Sequence, residues 1–393
     1  MLKGKNIIMF SCGDWETPYP TSPQHLSKNF AEENRVLFVE TFGSRQVALE
    51  PEHIRRIGLR LANWFKGIKK QNIKNGQLFI YSPIIPISNF GPFLFINRYI
   101  FVNMVKKLIK KLEMKNPILY FYIPPPANIK GTLGEKAIVY HCIDEWSTYP
   151  AGKNNTFMHF ERELTKNADL VLVTNGLLFK RKKNHARRIH KIYHGVDYNH
   201  FTKEFNENTP LPADIKNIPR PIIAIIGTFA SWMDLDSIKL IAQRHREWSI
   251  VSIGLIDSNV NIEDLYKMKN IYFLGPKNYS ELPDYYRAID VFIVPFLAIE
   301  HIKYCAPTRL YEHLASGKPI ITTDFPAAHE VETGLINIAS DKKDFIKKIE
   351  EALNEKDLSL SERRKEVAKR NTWGLKAEEI LAKIEKILNE KEI

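Results

Sequence analysis

Pro307-Thr308-Arg309-Leu310-Tyr311-Glu312-His313-Leu314-Ala315-Ser316-Gly317-Lys318-Pro319 runs from a strand end through a helix into the next strand. On a helix, Arg309 and Glu312 stand three residues apart and share a face, so a cation can meet phosphates while a carboxylate accepts two ribose hydroxyls. Gly317 supplies the stop, because a residue without a Cβ readily takes the left-handed backbone of a C-terminal cap.

The flanks repeat this alternation. Ile222 to Ile226, Ile250 to Ile253, Ile271 to Leu274, Val291 to Pro295 and Pro319 to Thr322 read as strands, with helices at Leu282 to Ala288 and Arg309 to Ala315. Earlier, Asn6 to Ser11, Val36 to Glu40, Ile118 to Ile123, Ala137 to His141 and Leu170 to Thr174 read the same way. Such runs are apolar on both faces and need helices on both sides, which implies parallel, doubly wound sheets. The polar, proline-bearing stretch 206–221 between the two series reads as a linker. The expected fold is therefore α/β: two Rossmann-like domains facing each other, 1–205 and 206–370. The amphipathic tail, 371–393, is expected to return to the first domain. Open α/β sheets bind ligands at the carboxyl ends of their strands, so the functional residues are expected there.

A chain of 393 residues exceeds the size at which one core keeps growing, which also argues for two domains. The net charge of +12 implies anionic partners. Nucleic acid is not expected, since there is no zinc-finger spacing, RRM-type aromatic signature or basic tail. Cys12, Cys142 and Cys305 lie far apart without metal-type spacing, which fits reduced thiols in a cytoplasm and no metal. No apolar run reaches the roughly 20 residues that span a bilayer, and Met1-Leu2-Lys3 leads straight into a strand-like stretch, so secretion is not expected.

The 307–319 segment resembles the donor-binding helix of GT-B glycosyltransferases of the GT4 type, with the pattern P-x-K/R-x-x-E-Y/H-x-A-x-G-K-P. A surface helix with an ion pair and a terminal glycine would not account for so many coincident positions. Ala168-Asp169-Leu170-Val171-Leu172-Val173-Thr174 and Ile192-Tyr193-His194-Gly195-Val196-Asp197 are similar to that family's first-domain strand and domain closing. The resemblance implies a nucleotide diphosphate sugar as donor, UDP before GDP, and no other cofactor. It implies that Glu312 binds the ribose and Arg309 the diphosphate, with Leu310 in the same donor-binding set. Ile225-Ile226-Gly227-Thr228-Phe229 resembles the first strand and loop of the second domain, where Gly227 and Thr228 would offer backbone amides to phosphate. Lys277, after Gly275-Pro276, stands where the family reads the base. Gly13, after the first strand, can face donor phosphates.

Ala137 to Ser147 (AIVYHCIDEWS) also resembles the strand end of the xanthan glucuronosyltransferase type, whose Asp serves as base. Asp144 is the expected catalytic residue, since a partly desolvated carboxylate can have its pKa raised toward proton abstraction. The alternative is an Asp that caps the next turn while Glu145 points to solvent. The chain departs from the retaining GT4 pattern at Tyr304, where a Glu normally contacts the donor sugar. This leaves the sugar and the stereochemistry open.

Ile54, Ile57, Leu61, Trp64, Phe65 and Ile68 repeat at helical spacing, and no acidic residue occurs from His53 to Gln77. Residues 54–74, with a second apolar and basic stretch at 93–111, therefore read as a contact with an anionic membrane surface. The expected activity is sugar transfer to a saccharide or lipid-linked acceptor in bacterial surface polysaccharide synthesis, in the cytoplasm and peripheral to the membrane. A sugar-nucleotide epimerase on the same architecture and a non-catalytic sugar-nucleotide-binding subunit are the rivals.

Overall fold

The computed structural model describes residues 2–40, 58, 64–83, 91–125, 129–149, 155–206 and 208–392. The chain divides into two compact units, Met1–Tyr193 with Trp373–Ile393, and His194–Thr372.

The first unit is built on β1 (Asn6–Phe10), β2 (Arg35–Val39), β3 (Lys69–Ile73), β4 (Gly76–Tyr81), β5 (Ile118–Phe121), β6 (Ala137–Cys142), β7 (Leu170–Val173) and β8 (Ile189–Lys191). The strands lie in the order β3-β4-β2-β1-β5-β6-β7-β8. All neighbours are parallel except β3 and β4. Strand alternation sends Ile7 and Met9 into a core with Leu26, Phe30, Ile380, Ile384 and Leu388. On the other face Phe10 stacks on Phe121 at 4.5 Å and meets Phe101, from the helix Gly91–Lys111, at 5.4 Å. Burial on both faces is what makes β1 an unbroken apolar run. The terminal helix Trp373–Glu392 belongs to this unit because its apolar stripe completes the first of these cores.

The second unit holds β9 (Ile222–Ile226), β10 (Ser249–Ile253), β11 (Ile271–Phe273), β12 (Val291–Val294), β13 (Ile320–Thr323) and β14 (Asn337–Ala339). They form a parallel sheet in the order β11-β10-β9-β12-β13-β14. Relabelled from β9 this is 3-2-1-4-5-6, the Rossmann winding, whose switch point lies between β9 and β12.

Two sequence expectations need correction. The stretch 206–221 is bonded into the second unit. Asp214 accepts from Lys277 Nζ at 2.6 Å and from Tyr285 OH at 2.9 Å, and Arg287 donates to the Thr209 carbonyl at 2.8 Å. The boundary accordingly falls at Tyr193/His194 rather than at 205/206.

The helical spacing read over 54–74 also fails in its second part. Residues 54–57 and 59–63 lie outside the described residues, 64–66 are helical, and Lys69–Ile73 is strand β3. It pairs antiparallel with β4, with Gln71 opposite Leu78, through a turn in which Lys74 has φ 36°. The two-residue loop is Lys74-Asn75, with Ile73 opposite Gly76, and backbone pairing along the sheet edge prevailed over the helical pattern.

Candidate functional site

The switch point of the second unit is shaped by two close backbone approaches. Gly227, at the end of β9, has φ +131°, and Gly254, at the end of β10, has φ +155°. A Cβ on Gly254 would stand 1.9 Å from the Gly227 carbonyl oxygen, and one on Gly227 would stand 3.1 Å from Arg309 Nε. The guanidinium side chain therefore crosses the end of β9 over the one residue type that leaves it room. Thr228, next along, is exposed.

Arg309 opens the helix Arg309–Ala315. Its Nη1 stands 3.4 Å from Glu312 Oε2, which also lies 3.5 Å from the Tyr286 hydroxyl. Glu312 is buried, and desolvation raises its pKa against the pull of Arg309 and His200. A buried carboxylate beside a cation and a phenol can accept a pair of hydroxyl donors from a ligand. Arg309 at the glycine edge offers a fork of N–H donors suited to phosphate.

Several residues to which the sequence assigns no separate role surround this helix. His313 stacks on Phe292 at 4.1 Å and meets Tyr286 OH through Nδ1 at 3.1 Å, and burial keeps it far below the usual histidine pKa. Lys318 Nζ donates to the carbonyls of Tyr286 at 2.7 Å, Arg287 at 2.9 Å and Ile289, and burial lowers its pKa to about 8. Arg364, fully buried, donates to the Gly317 carbonyl at 3.2 Å and to Glu355 Oε2 at 2.6 Å. His200 stacks on Tyr279 at 4.4 Å, and its Nε2 lies 2.8 Å from the Tyr279 carbonyl. Asp197 takes the cap position below, accepting from His200 N at 3.4 Å. His313 and Lys318 stand at the Y/H and K positions of the 307–319 pattern, whereas no spacing rule singles out Arg364 or His200, whose partners are distant in sequence.

Two members of the expected donor set are engaged otherwise. Lys277 forms an ion pair with Asp214 at 2.6 Å and lies over the Tyr285 ring at 5.3 Å. Leu310 turns its side chain into the core, and its N–H donates to the Pro307 carbonyl at 3.2 Å.

In the first unit, Asp144 follows β6 and is partly buried. Desolvation pushes its pKa up to about 6, opposed by a hydrogen bond from Tyr149. The alternative reading of this pair is reversed. Glu145, not Asp144, caps the following turn, accepting from Ser147 N at 3.2 Å and Ser147 Oγ at 2.7 Å. Rather than facing water, its carboxylate is buried and pairs with Arg181 Nε at 2.9 Å and Lys182 Nζ at 3.4 Å. Lys182 also meets buried Glu161 at 2.6 Å, and Glu161 accepts from Tyr140 OH at 3.1 Å. This network fixes the backbone on which Asp144 stands. Gly13 follows β1, but its N–H already donates to Ser11 Oγ at 3.0 Å.

Two parallel, doubly wound units, the second with a cation and a buried carboxylate at its switch point, define a GT-B fold. Residues 220–355 match the family "Glycosyl transferases group 1". TuaH of Bacillus subtilis (strain 168), a protein named for a glycosyltransferase role in teichuronic acid biosynthesis, is 26% identical over 255 residues. That match covers 60% of this chain and 64% of TuaH, just under two thirds of the relative's length. Among solved structures, sucrose-phosphate synthase from Thermosynechococcus elongatus superposes with a TM-score of 0.66 at 14% identity, covering 98% of this chain and 100% of that one. HepE from Anabaena, solved in complex with UDP, gives 0.64 at 15% identity, covering 97% and 100%. These likenesses establish the fold, in accord with the resemblance carried by the 307–319 segment.

Proposed function

We infer that this chain transfers a glycosyl group from a UDP-sugar to a saccharide or lipid-linked acceptor in the making of a bacterial surface polysaccharide. The observation that carries this reading is Arg309 laid over Gly227 with Glu312 beside it at the switch point. The group 1 match across 220–355 supports it, as does the UDP held by HepE. The polysaccharide assignment draws support from the name of TuaH.

In this mechanism Glu312 accepts the ribose hydroxyls. Arg309 and the Thr228 backbone hold the diphosphate; Gly227, whose own N–H donates to the Ile253 carbonyl at 2.9 Å and so is not the amide donor the sequence suggested, contributes the room above the strand end. The acceptor oxygen attacks the anomeric carbon as the bond from that carbon to the diphosphate oxygen breaks. The electron pair leaves on the diphosphate, where Arg309 stabilises the developing charge without a resident metal. The acceptor proton passes to Asp144, whose raised pKa suits a base near neutrality. The chain works in the cytoplasm against the membrane surface; among the described residues no helix is long and apolar enough to cross it.

Thermal-shift measurement with UDP, GDP, ADP and TDP tests the donor assignment. UDP should raise the midpoint most, since a ligand at 100 times its Kd stabilises by about 2.7 kcal/mol. No shift with any nucleotide would remove the reading. A non-catalytic binding subunit is the second reading, favoured by Tyr304 in place of the family's Glu, with nearby Glu300 tied to Lys303 at 2.7 Å. UDP release from a UDP-sugar would exclude it.

A further inference from the structure

We propose that a groove along the helix Gly91–Lys111 in the first unit holds the hydrocarbon chain of a phosphate-headed lipid, the carrier end of the acceptor. The identity of the lipid rests on the transferase reading; the chemistry of the groove does not.

The groove encloses about 800 Å³, and Trp64, Ile68, Tyr99, Ile100 and Met104 give it an apolar and aromatic wall. That volume lies within the roughly 300–1,000 Å³ of small-molecule sites. Trp64 and Tyr99 are 42% and 72% exposed, a costly display unless something covers them. Lys106, Lys107, Lys110 and Lys111 also line it, and the lining contains no acid.

Among the described residues none of these four lysines has an ion-pair partner, whereas Lys69 and Lys74 nearby pair with Glu16 and Glu32 at 2.7 Å. Lys106 with Lys110, and Lys107 with Lys111, are like charges four apart on a helix, an arrangement that destabilises it. Lys110 and Lys111 complement the helix dipole, but that benefit fades beyond the last turn and does not reach Lys106.

Charge complementarity therefore selects an anionic occupant, and the wall selects an apolar body. An amphiphile with one phosphate satisfies both demands, the lysines holding the head while the chain lies along the helix.

The test uses the full chain with dodecyl phosphate below its micelle concentration, compared by calorimetry with dodecyl maltoside and inorganic phosphate. Dodecyl phosphate should bind about tenfold more tightly than either, the gain expected from one or two lysines near a phosphate. Tyr99→Asp, at an exposed position, should abolish binding, and Lys106→Gln with Lys110→Gln should weaken it about tenfold. Equal binding of the maltoside would overturn the proposal in favour of a neutral apolar partner. Equal binding of inorganic phosphate would reduce the groove to an ion patch. Unchanged binding by both variants, or no binding at all, would leave the groove to the chain itself or to nothing. Displacement of dodecyl phosphate by phosphatidylglycerol vesicles at equal lipid concentration would reassign it to the bulk membrane. The UDP thermal shift, measured on the same samples, should persist in every variant; its absence would sink the transferase reading while leaving the groove result intact.

Discussion

Arg309 passes so close to Gly227 that a methyl group on the glycine would lie 3.1 Å from the arginine Nε. The strand end and the helix that begins at Arg309 are thus matched in shape as well as in charge. Replacing Gly227 by Ala should lower UDP affinity by about tenfold or more, because the φ of +131° disfavours a side chain and the arginine must move. Calorimetric titration with UDP checks this, with the unfolding midpoint measured alongside; unaltered affinity would contradict the placement of the diphosphate.

Glu312 gives a sharper test, since its role is to accept hydroxyl hydrogens. The chain should prefer UDP over its 2′- and 3′-deoxy analogues by about 1.5–3 kcal/mol, the worth of a hydrogen bond to a charged group. Glu312→Gln should shrink that preference while keeping the buried shape. If the variant discriminates as well as the parent, the ribose lies elsewhere.

Asp144 links rate to pH. A base works when deprotonated, so acceptor-dependent turnover should rise as pH increases through about 6, and Asp144→Asn should remove turnover while leaving UDP binding intact. The stability consequence has the opposite sign. A carboxylate whose folded pKa lies above its ordinary value binds more protons folded than unfolded, so stability falls as pH climbs from about 4 to about 6. At pH 7 the Asn variant should therefore melt higher than the parent. A lower melting point would mean that Asp144 is held by favourable contacts rather than exposed to desolvation.

Lys182 is only 4% exposed and bridges Glu145 and Glu161. Lys182→Met should cost about 3–5 kcal/mol in urea unfolding, because it strands buried carboxylate charge. Adding Glu161→Gln should restore part of that loss. Additive penalties in the double variant would show that the pair does not interact.

Much of the architecture could be read from the amino-acid order. The strands β9 and β12 and the helices Leu282–Ala288 and Arg309–Ala315 fall where apolar runs and helical spacing put them. A strand buried on both faces has to be apolar throughout, and Gly317 ends its helix by a local backbone requirement. The edge strand β3 escaped because Lys-Lys-Gln-Asn-Ile carries little apolar pattern, and it is defined by its pairing with β4.

Sequence alone determined the parallel-sheet class and the placing of Arg309 and Glu312 on one helix, since both follow from periodicities of a few residues. Tertiary structure alone decided that Glu145 is a buried cap rather than a solvated acid, that Lys277 serves Asp214, and that 206–221 belongs to the second unit. Those outcomes depend on which distant side chain supplies the opposite charge or the covering surface, and burial, not local order, sets that choice.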